Sequence, residues 1–299
     1  MRLLIIGASG FLGGHVYRQA LAAGMDVVTA GRSPQPGAAR HRRADLAAGP
    51  AAAAALLAEV APGAVVNCAG ATSGPPAALA AANIDGTCTL VTAMLRAAPT
   101  ARLVHLGSAA EYGPARPGVP VTEQAPPRPA SLYGATKLAA TRLVGVAAAA
   151  GLDAVVLRVF NPVGPGAPET SLPGRVAAQL RRAAGPRADL HLGPLDGVRD
   201  FVDVRDVAGA VLAAATAATL PHPVLNIGSG RGTQARALVS ELVAVSGRAA
   251  EVHEDAAGGP RAGGITWQQA GIGRAAGDLG WRPRRDLATS LADLWAAAG

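Results

Sequence analysis

The chain opens with Met1-Arg-Leu-Leu-Ile-Ile-Gly7-Ala-Ser-Gly10-Phe-Leu-Gly13, the stretch that decides the fold. Its first apolar residues predict a short strand, and helix-type sequence follows as far as Ala23. Strand, glycine turn and helix, in this order, are the context in which a glycine-rich motif binds a dinucleotide. Gly7 would permit the tight turn, Gly10 would let backbone approach the pyrophosphate, and Gly13 would let helix and strand pack closely.

Strand-like and helix-like segments go on alternating over the first 160 residues. This alternation predicts an α/β fold with a Rossmann-type, doubly wound parallel sheet. Ligands bind such sheets at the carboxyl ends of the strands, where Gly7, Arg32, Ala69 and Ser108 all fall. The predicted segments after the glycine turn are strands at 26–30, 65–68, 103–106 and 155–159, and helices at 50–60, 83–97 and 137–150.

A rise in proline and glycine after the last of these strands marks a change of architecture. We expect residues 1–165 to form the dinucleotide-binding domain, with 199–221 returning to it. Residues 166–198 and 222–299 would form a smaller, C-terminal substrate-binding lobe.

Arg32 and Ser33 follow the second predicted strand, where an NAD binder usually has Asp or Glu to accept from the ribose 2′-hydroxyl. An arginine and a hydroxyl suit a 2′-phosphate, which favours NADP(H) over NAD(H). Arg40, Arg42 and Arg43 follow closely and could assist. The alternative is that Arg32 is simply a solvated loop residue.

Tyr133 and Lys137 stand four residues apart on a helix-type segment and would project from one face about one turn apart. A phenol has an ordinary pKa of about 10, and an ammonium beside it favours the phenolate. The pair alone is common on helix surfaces. Ser108, at the end of a predicted strand upstream, and the glycine turn together make a catalytic interpretation the stronger one.

Bulk composition excludes several classes of protein. The net charge is +7, yet the arginines are scattered, aromatic residues make up 3%, and no nucleic-acid motif is present. No uninterrupted apolar run is long enough for a membrane span, so we expect a soluble, cytoplasmic protein without nucleic-acid or membrane partners. Cys68 and Cys88 lack metal-ligand spacing, and the six histidines form no metal pattern, so no metal is expected.

Together these motifs resemble the extended short-chain dehydrogenase/reductase family, in particular its sugar-nucleotide branch and the nucleotide-diphosphate 4-keto-6-deoxyhexose reductases. Ser108 stands 25 residues before Tyr133, as in the family's catalytic triad. Resemblance covers nearly the whole chain. Its other motifs are the glycine turn at 7–13, Arg-Val-Phe-Asn-Pro-Val-Gly-Pro-Gly at 158–166, Val-Arg-Asp-Phe-Val-Asp-Val-Arg-Asp at 198–206 and Asn-Ile-Gly-Ser-Gly at 226–230.

The resemblance implies a role for each matching residue. Tyr133 would be the general acid/base, Ser108 would hydrogen-bond the reacting oxygen, and Lys137 would lower the tyrosine pKa and hold the nicotinamide ribose. The implied cofactor contacts are Gly7, Ser9, Gly10, Phe11, Leu12, Gly13, Arg32, Ser33, Asp45, Leu46, Ala69, Gly70, Tyr133 and Lys137. The implied substrate contacts are Ser108, Ala109, Asn161, Arg199 and Arg261.

Three reactions share this core. A 4,6-dehydratase needs an acid just after the serine, where this chain has Ala109 and Ala110; Glu111 comes one residue later and on a strand would face the other way. A 4-epimerase keeps NAD tightly bound and normally has the acidic ribose reader. A ketoreductase needs only the triad and fresh NADPH, so we expect reduction of a keto group, C4 being favoured, on a nucleotide-diphosphate deoxysugar.

Alternatives remain at this point: an epimerase, a reductase for a non-nucleotide substrate, or a non-catalytic NADP-binding sensor. The sugar and the base, GDP or dTDP, stay open, although the motifs look most like the GDP-sugar type. Apolar helices after Asn83 and Lys137 suggest a homodimer through a four-helix interface.

Overall fold

Short buried strands alternate with alanine-rich helices in the computed structural model, which describes residues 1–254 and 265–297. The strands are β1 Arg2–Ile6, β2 Asp26–Gly31, β3 His41–Arg43, β4 Ala64–Asn67, β5 Arg102–Ser108, β6 Ala154–Val159, β7 Asn161–Val163, β8 Arg187–Leu192, β9 Val198–Asp203, β10 Val224–Ile227, β11 Gly232–Gln234, β12 Ala249–Glu254 and β13 Trp267–Gln268. The helices are α1 Phe11–Ala22, α2 Pro50–Val60, α3 Pro76–Ala80, α4 Gly86–Ala97, α5 Leu132–Ala149, α6 Leu172–Arg182, α7 Val204–Thr216, α8 Ala235–Ser246, α9 Gly273–Leu279 and α10 Leu287–Ala296.

Seven parallel strands form the central sheet, in the order β10-β6-β5-β4-β1-β2-β3. The strand order reverses at β1, which lies between β2 and β4, so the crevice for a ligand opens at the end of β1. One hydrophobic cluster packs α1 and α7 on one face of the sheet, and a second packs α2, α4 and α5 on the other. The predicted doubly wound α/β sheet is confirmed.

Glycine is required at two positions of the first turn. Gly7 has φ +80°, and a Cβ there would lie 2.8 Å from the backbone nitrogen of Ala69 at the end of β4. A Cβ on Gly13 would overlap the carbonyl oxygen of Gly7. Gly13 therefore lets α1 approach β1 closely, as the sequence predicted, while Gly7 lets the turn adopt a positive φ and approach the segment after β4.

The smaller lobe is assembled from α6, α8, α10 and β8, which share a third hydrophobic cluster. Beside it, β7, β9, β11 and β13 form a four-stranded sheet, and β8 pairs with β12. The predicted boundary at 222 needs correction, because β10 is the edge strand of the large sheet and the buried Trp281 belongs to the cluster under α1 and α7. With only four residues, β10 is too short for its sequence to indicate which strand it pairs with.

The helix that carries Tyr133 and Lys137 starts earlier than its predicted start at 137. Ser131 has extended backbone, and its side chain accepts from the N–H of Gly134 at 3.1 Å. This cap begins α5 at Leu132, so Tyr133 lies in the first turn.

The stretch Pro76–Ala97 runs through α3, a π-helical turn at Ala81–Asp85 and α4. By length and composition alone it could cross a membrane, which is weak evidence because core helices of soluble proteins pass the same test. Leu90, Ala93 and Met94 are buried in the cluster with α2 and α5. One face of α4 therefore packs into the hydrophobic cluster on this side of the sheet.

Replacing Gly13 by alanine tests the close approach of α1 to β1. The new methyl group would push against the Gly7 carbonyl, so we expect Gly13→Ala to destabilise the protein by about 1–3 kcal/mol. Gly277, inside α9, is the matched control, because a Cβ there meets nothing within 4 Å. Gly277→Ala should stabilise by about 0.5–1 kcal/mol. Urea unfolding of both variants measures the change in the free energy of unfolding. If Gly13→Ala and Gly277→Ala changed it equally and in the same direction, the packing described would be contradicted.

Candidate active site

Ser108, Tyr133 and Lys137 meet where α5 packs against the carboxyl end of β5. Ser108 is the last residue of β5 and caps a 3₁₀ turn at Ala109–Glu111. The Lys137 ammonium donates to the carbonyl of Leu106, two residues before Ser108 on the same strand, at 2.6 Å. Tyr133 lies one turn before Lys137 on α5 and is half-buried. The structure thus brings the three predicted residues to one strand end.

Gly134 explains how closely the two elements approach. A Cβ on Gly134 would overlap the carbonyl oxygen of Ala110, so the first turn of α5 lies directly against the turn that follows Ser108. Sequence reasoning missed this glycine, since its partner is 24 residues away and no local turn demands it.

Lys137 is a buried cation whose surroundings include one carboxylate and two neutral side chains. Burial lowers its pKa, while the carboxylate of Glu111 opposes that effect. Burial raises the pKa of the Cys68 thiol to about 12, and burial together with the Lys137 ammonium holds the pKa of His105 well below its usual value. Both neighbours are therefore uncharged at neutral pH. A cation in this position favours the phenolate form of a nearby tyrosine.

Glu111 is poorly placed to act as an acid or base on a substrate. The sequence predicted this from a strand on which Glu111 would face the other way, but the structure gives a different reason. Glu111 lies in a 3₁₀ turn rather than on a strand, and its side chain is fully buried. One carboxylate oxygen accepts from the Ser108 N–H at 2.8 Å, and the other accepts from Nε of Arg158 at 2.7 Å. Of the two residues after Ser108, Ala110 is half-buried, whereas Ala109, a predicted substrate contact, is buried in a cluster with Tyr112 and Phe160; neither carries an acid.

The glycine turn has the features of an anion site. Gly10 is the N-cap of α1 and provides no side chain to cap it, and α1 has no acidic residue in its first turn. Ser9 and Gly10 are exposed, and Phe11 and Leu12 are half-buried. The first N–H groups of a helix and its dipole attract phosphate, so these residues fit the pyrophosphate of a dinucleotide.

At the end of β2, Arg32 and Ser33 are both exposed. No acidic residue stands in the sequence between β2 and β3. The guanidinium and the hydroxyl are therefore accessible at the position where the sequence predicts contact with a 2′-phosphate.

The other arginines of this region have different partners. Arg40 forms an ion pair with Asp26, and Nε of Arg42 lies 2.5 Å from a carboxylate oxygen of Glu59. Arg43 is exposed. Two of the three predicted helpers are therefore engaged with carboxylates of the protein itself.

The remaining predicted cofactor residues line the ends of β3 and β4. The Asp45 carboxylate accepts from the N–H of Ala47 at 3.0 Å and caps a short 3₁₀ helix, while Leu46 packs beside α4. The Ala69 backbone abuts Gly7, and Gly70 is exposed beside Asn83. Ala69 thus adjoins the glycine turn, whereas the Asp45 side chain is used locally.

Asn83 is a buried residue whose side chain links two segments of the site, a role that the sequence did not indicate. Its amide side chain accepts from the N–H of Ala71 and donates to the Ala71 carbonyl, both at 2.9 Å. It also donates to the hydroxyl of Thr136, which in turn donates to the carbonyl of Tyr133. Asn83 therefore ties the segment after β4 to the first turn of α5.

The predicted substrate residues Asn161 and Arg199 share one face of the β7–β9 pair. Asn161 is in register with Phe201, two residues after Arg199, and in-register neighbours of parallel strands point to the same side. The Asn161 amide donates to the Asp200 carbonyl at 2.8 Å. The Arg199 guanidinium donates to backbone carbonyls, including that of Ile265 at 2.6 Å, and burial lowers its pKa.

Gln268, a residue missed from sequence, links this face to Ser108. It is in register with Arg199 on β13, and its amide donates to the Ala109 carbonyl at 2.8 Å. No local motif marks Gln268, because its role depends on a partner 159 residues away.

The remaining predicted substrate residue, Arg261, lies outside the described residues.

One further cluster lies away from this site. Asp189, Glu251 and His253 project from β8 and β12 with ligand atoms all within 4.8 Å of one another, a spacing that could hold a metal ion. The sequence suggested no such grouping, because the two strands are far apart in the chain.

A doubly wound sheet with a glycine turn at its switch point, and Ser108, Tyr133 and Lys137 at the end of β5, defines an NAD(P)-dependent enzyme of the short-chain dehydrogenase/reductase type. Residues 3–228 match the model of the NAD dependent epimerase/dehydratase family. The chain belongs to this family, and the resemblance stated from the sequence is confirmed.

Individual relatives carry out different reactions. The chain is 41% identical to a dTDP-6-deoxy-L-talose 4-dehydrogenase (NAD(P)(+)) of Kitasatospora kifunensis, over 99% of this chain and 95% of that protein. It is 36% identical to a UDP-glucose 4-epimerase of Streptomyces lividans, over 71% and 67%. The structure of RMD from Pseudomonas aeruginosa complexed with NADPH matches with a TM-score of 0.84 at 28% identity, covering 99% of this chain and 98% of that one.

Proposed function

We propose that this enzyme interconverts the keto and hydroxyl forms at C4 of a nucleotide-diphosphate 6-deoxyhexose, acting as an NADPH-dependent ketoreductase. The observation that carries the proposal is the end of β5, where Ser108 and the Tyr133/Lys137 helix meet next to Ala109 and Ala110. A dehydratase would need an acid at the position of one of these alanines. Similarity over 99% of the chain to a dTDP-sugar 4-dehydrogenase supports this reaction and favours dTDP as the base, whereas the sequence motifs favoured GDP.

The chain's own residues would handle the proton. Bound NADPH supplies the hydride that reduces the carbonyl. The Tyr133 phenol then gives its proton to the oxygen at C4, which becomes the hydroxyl, and the Lys137 ammonium stabilises the phenolate that remains. The Ser108 hydroxyl donates a hydrogen bond to the same oxygen as negative charge develops on it. In the reverse direction Tyr133 takes the proton back.

NADP(H) is the proposed cofactor. Arg32 and Ser33 are exposed at the end of β2, and no acid stands there to accept from a ribose 2′-hydroxyl. A guanidinium recognises a 2′-phosphate by charge-assisted hydrogen bonds.

An epimerase is the alternative that the comparisons support most directly, through the similarity to UDP-glucose 4-epimerases. It would act without net consumption of cofactor. A non-catalytic NADP sensor is less well supported, because Ser108, Tyr133 and Lys137 are all retained.

Two further features are proposed on the same basis. We expect the enzyme to work in the cytoplasm on a small-molecule nucleotide sugar. Leu95 on α4 and Val146 on α5 are exposed, by 44% and 72%, and such residues suit a homodimer formed through these helices.

The reaction itself is tested by NADPH consumption at 340 nm with dTDP- and GDP-4-keto-6-deoxyhexoses made in situ by the matching dehydratases. We expect consumption of one equivalent per equivalent of keto-sugar, faster with the dTDP substrate. Absorbance that stays constant while NMR shows a C4 epimer of a UDP-sugar would overturn the reductase in favour of the epimerase. NADPH binding without turnover on any of these sugars would favour the sensor.

Tyr133→Phe tests the proton donor. The variant removes one hydroxyl and keeps the ring, so it should lower kcat by about 10²- to 10⁴-fold while NADPH still binds. Stopped-flow turnover and NADPH fluorescence titration measure the two quantities. A variant that keeps the wild-type kcat would show that another group donates the proton.

Arg32→Ala tests the cofactor preference. Losing one charge-assisted hydrogen bond at an exposed position should raise the KM for NADPH by about tenfold and leave the KM for NADH unchanged. Arg182→Ala, far away on α6 and paired with Glu169, is the control for loss of one surface arginine. An equal rise in both KM values would refute recognition of a 2′-phosphate by Arg32.

A further inference from the structure

A buried ion pair lies directly behind Ser108. The side chain of Glu111 has no exposed surface and that of Arg158, on β6, has 6%. Nε of Arg158 donates to one Glu111 oxygen at 2.7 Å, and the other oxygen accepts from the Ser108 N–H at 2.8 Å. The carboxylate is therefore shared between a cation and the backbone of a catalytic residue.

Stability alone gives little reason to retain this pair. Removing two charges from water is costly, and apolar residues of similar volume often serve equally well in a protein interior. The pair does, however, fix a backbone N–H that an apolar side chain cannot bind. The Ser108 hydroxyl oxygen accepts from the N–H of Ala110 at 3.2 Å, which leaves its own hydrogen to be donated.

The environment holds the pair in one arrangement. The Arg158 guanidinium stacks over the Tyr112 ring at 4.5 Å from its centre. The Tyr112 hydroxyl donates to the side-chain oxygen of Asn226 at 2.7 Å, and the Asn226 amide donates to the carbonyl of Val121. The turn after Ser108 is thus anchored to β6 and β10 through polar side chains.

We propose that Glu111 is a positioning residue that orients Ser108 towards the reacting oxygen by holding the Ser108 N–H. This inference rests on the proposed function, in which the Ser108 hydroxyl donates to the oxygen at C4. The Glu111 carboxylate also raises the pKa of Lys137 against the effect of burial, so one buried charge supports two members of the site.

A matched pair of double variants separates positioning from stability. Glu111→Leu with Arg158→Met removes both charges and also the acceptor for the Ser108 N–H. Glu111→Gln with Arg158→Met removes the same charges but keeps a side-chain oxygen as the acceptor. Replacing both partners avoids leaving an isolated buried charge, which favours folding of both variants. Glu169→Leu with Arg182→Met, at an exposed ion pair, is the control for loss of such a pair.

If Glu111 positions Ser108, the leucine variant has a kcat about 10- to 100-fold below that of the glutamine variant, while the two variants have equal NADPH affinity because both lack the Glu111 charge. Adding Ser108→Ala should remove this difference, because the acceptor acts only through Ser108. Equal kcat values in the two folded variants would overturn the proposal. So would a difference that persists in the Ser108→Ala background.

Amide hydrogen exchange without substrate keeps this test independent of the proposed reaction. The Ser108 N–H should exchange faster in the leucine variant than in the glutamine variant, and equal protection would refute the hydrogen bond as the means of positioning. Failure of the wild-type enzyme to reduce any keto-sugar would instead count against the proposed function. Exchange also reports on the Ser108 N–H if one variant is too unstable for kinetics.

Discussion

The site depends on one buried hydrogen bond, from the Lys137 ammonium to the carbonyl of Leu106. A buried ammonium is costly unless it is hydrogen-bonded, and burial already lowers the pKa of this lysine. The bond therefore fixes α5 against β5 at one register. Because Tyr133 is one turn before Lys137 and Ser108 is two residues after Leu106, this contact holds both residues at the same edge of the sheet, together with the close approach of Gly134 to Ala110.

Charge in the interior is arranged around that contact. Glu111 opposes the effect of burial on Lys137 and is itself held by Arg158. Cys68 and His105 stay uncharged beside the lysine, since burial raises the pKa of the thiol and lowers that of the imidazole. The protein thus keeps one buried cation a helical turn after Tyr133 and compensates it with the Glu111 carboxylate. A phenol can then lose its proton with less penalty than it would in water.

The parts of the fold that the sequence predicted are those with local causes. The glycine turn, the first strands and the pairing of Tyr133 with Lys137 follow from residue types at fixed spacing. The structure adds contacts between distant residues, such as Asn83 with Thr136 and Gln268 with Ala109, which no local pattern encodes. The edge position of β10 has the same origin, because a four-residue strand does not identify its neighbour.

The reductase, the epimerase and the dehydratase share the catalytic serine, tyrosine and lysine. Other residues must therefore determine which of the three reactions occurs. In the proposed reaction, elimination of water would need a carboxylate near position 110, where this chain has alanine. An exposed arginine at the end of β2, in place of a carboxylate, would suit a phosphorylated cofactor that is exchanged in each turnover. An epimerase gains from never releasing its cofactor, whereas a reductase must release it. The surface at the end of β2 therefore bears on the type of reaction, which Ser108 and Tyr133 do not distinguish.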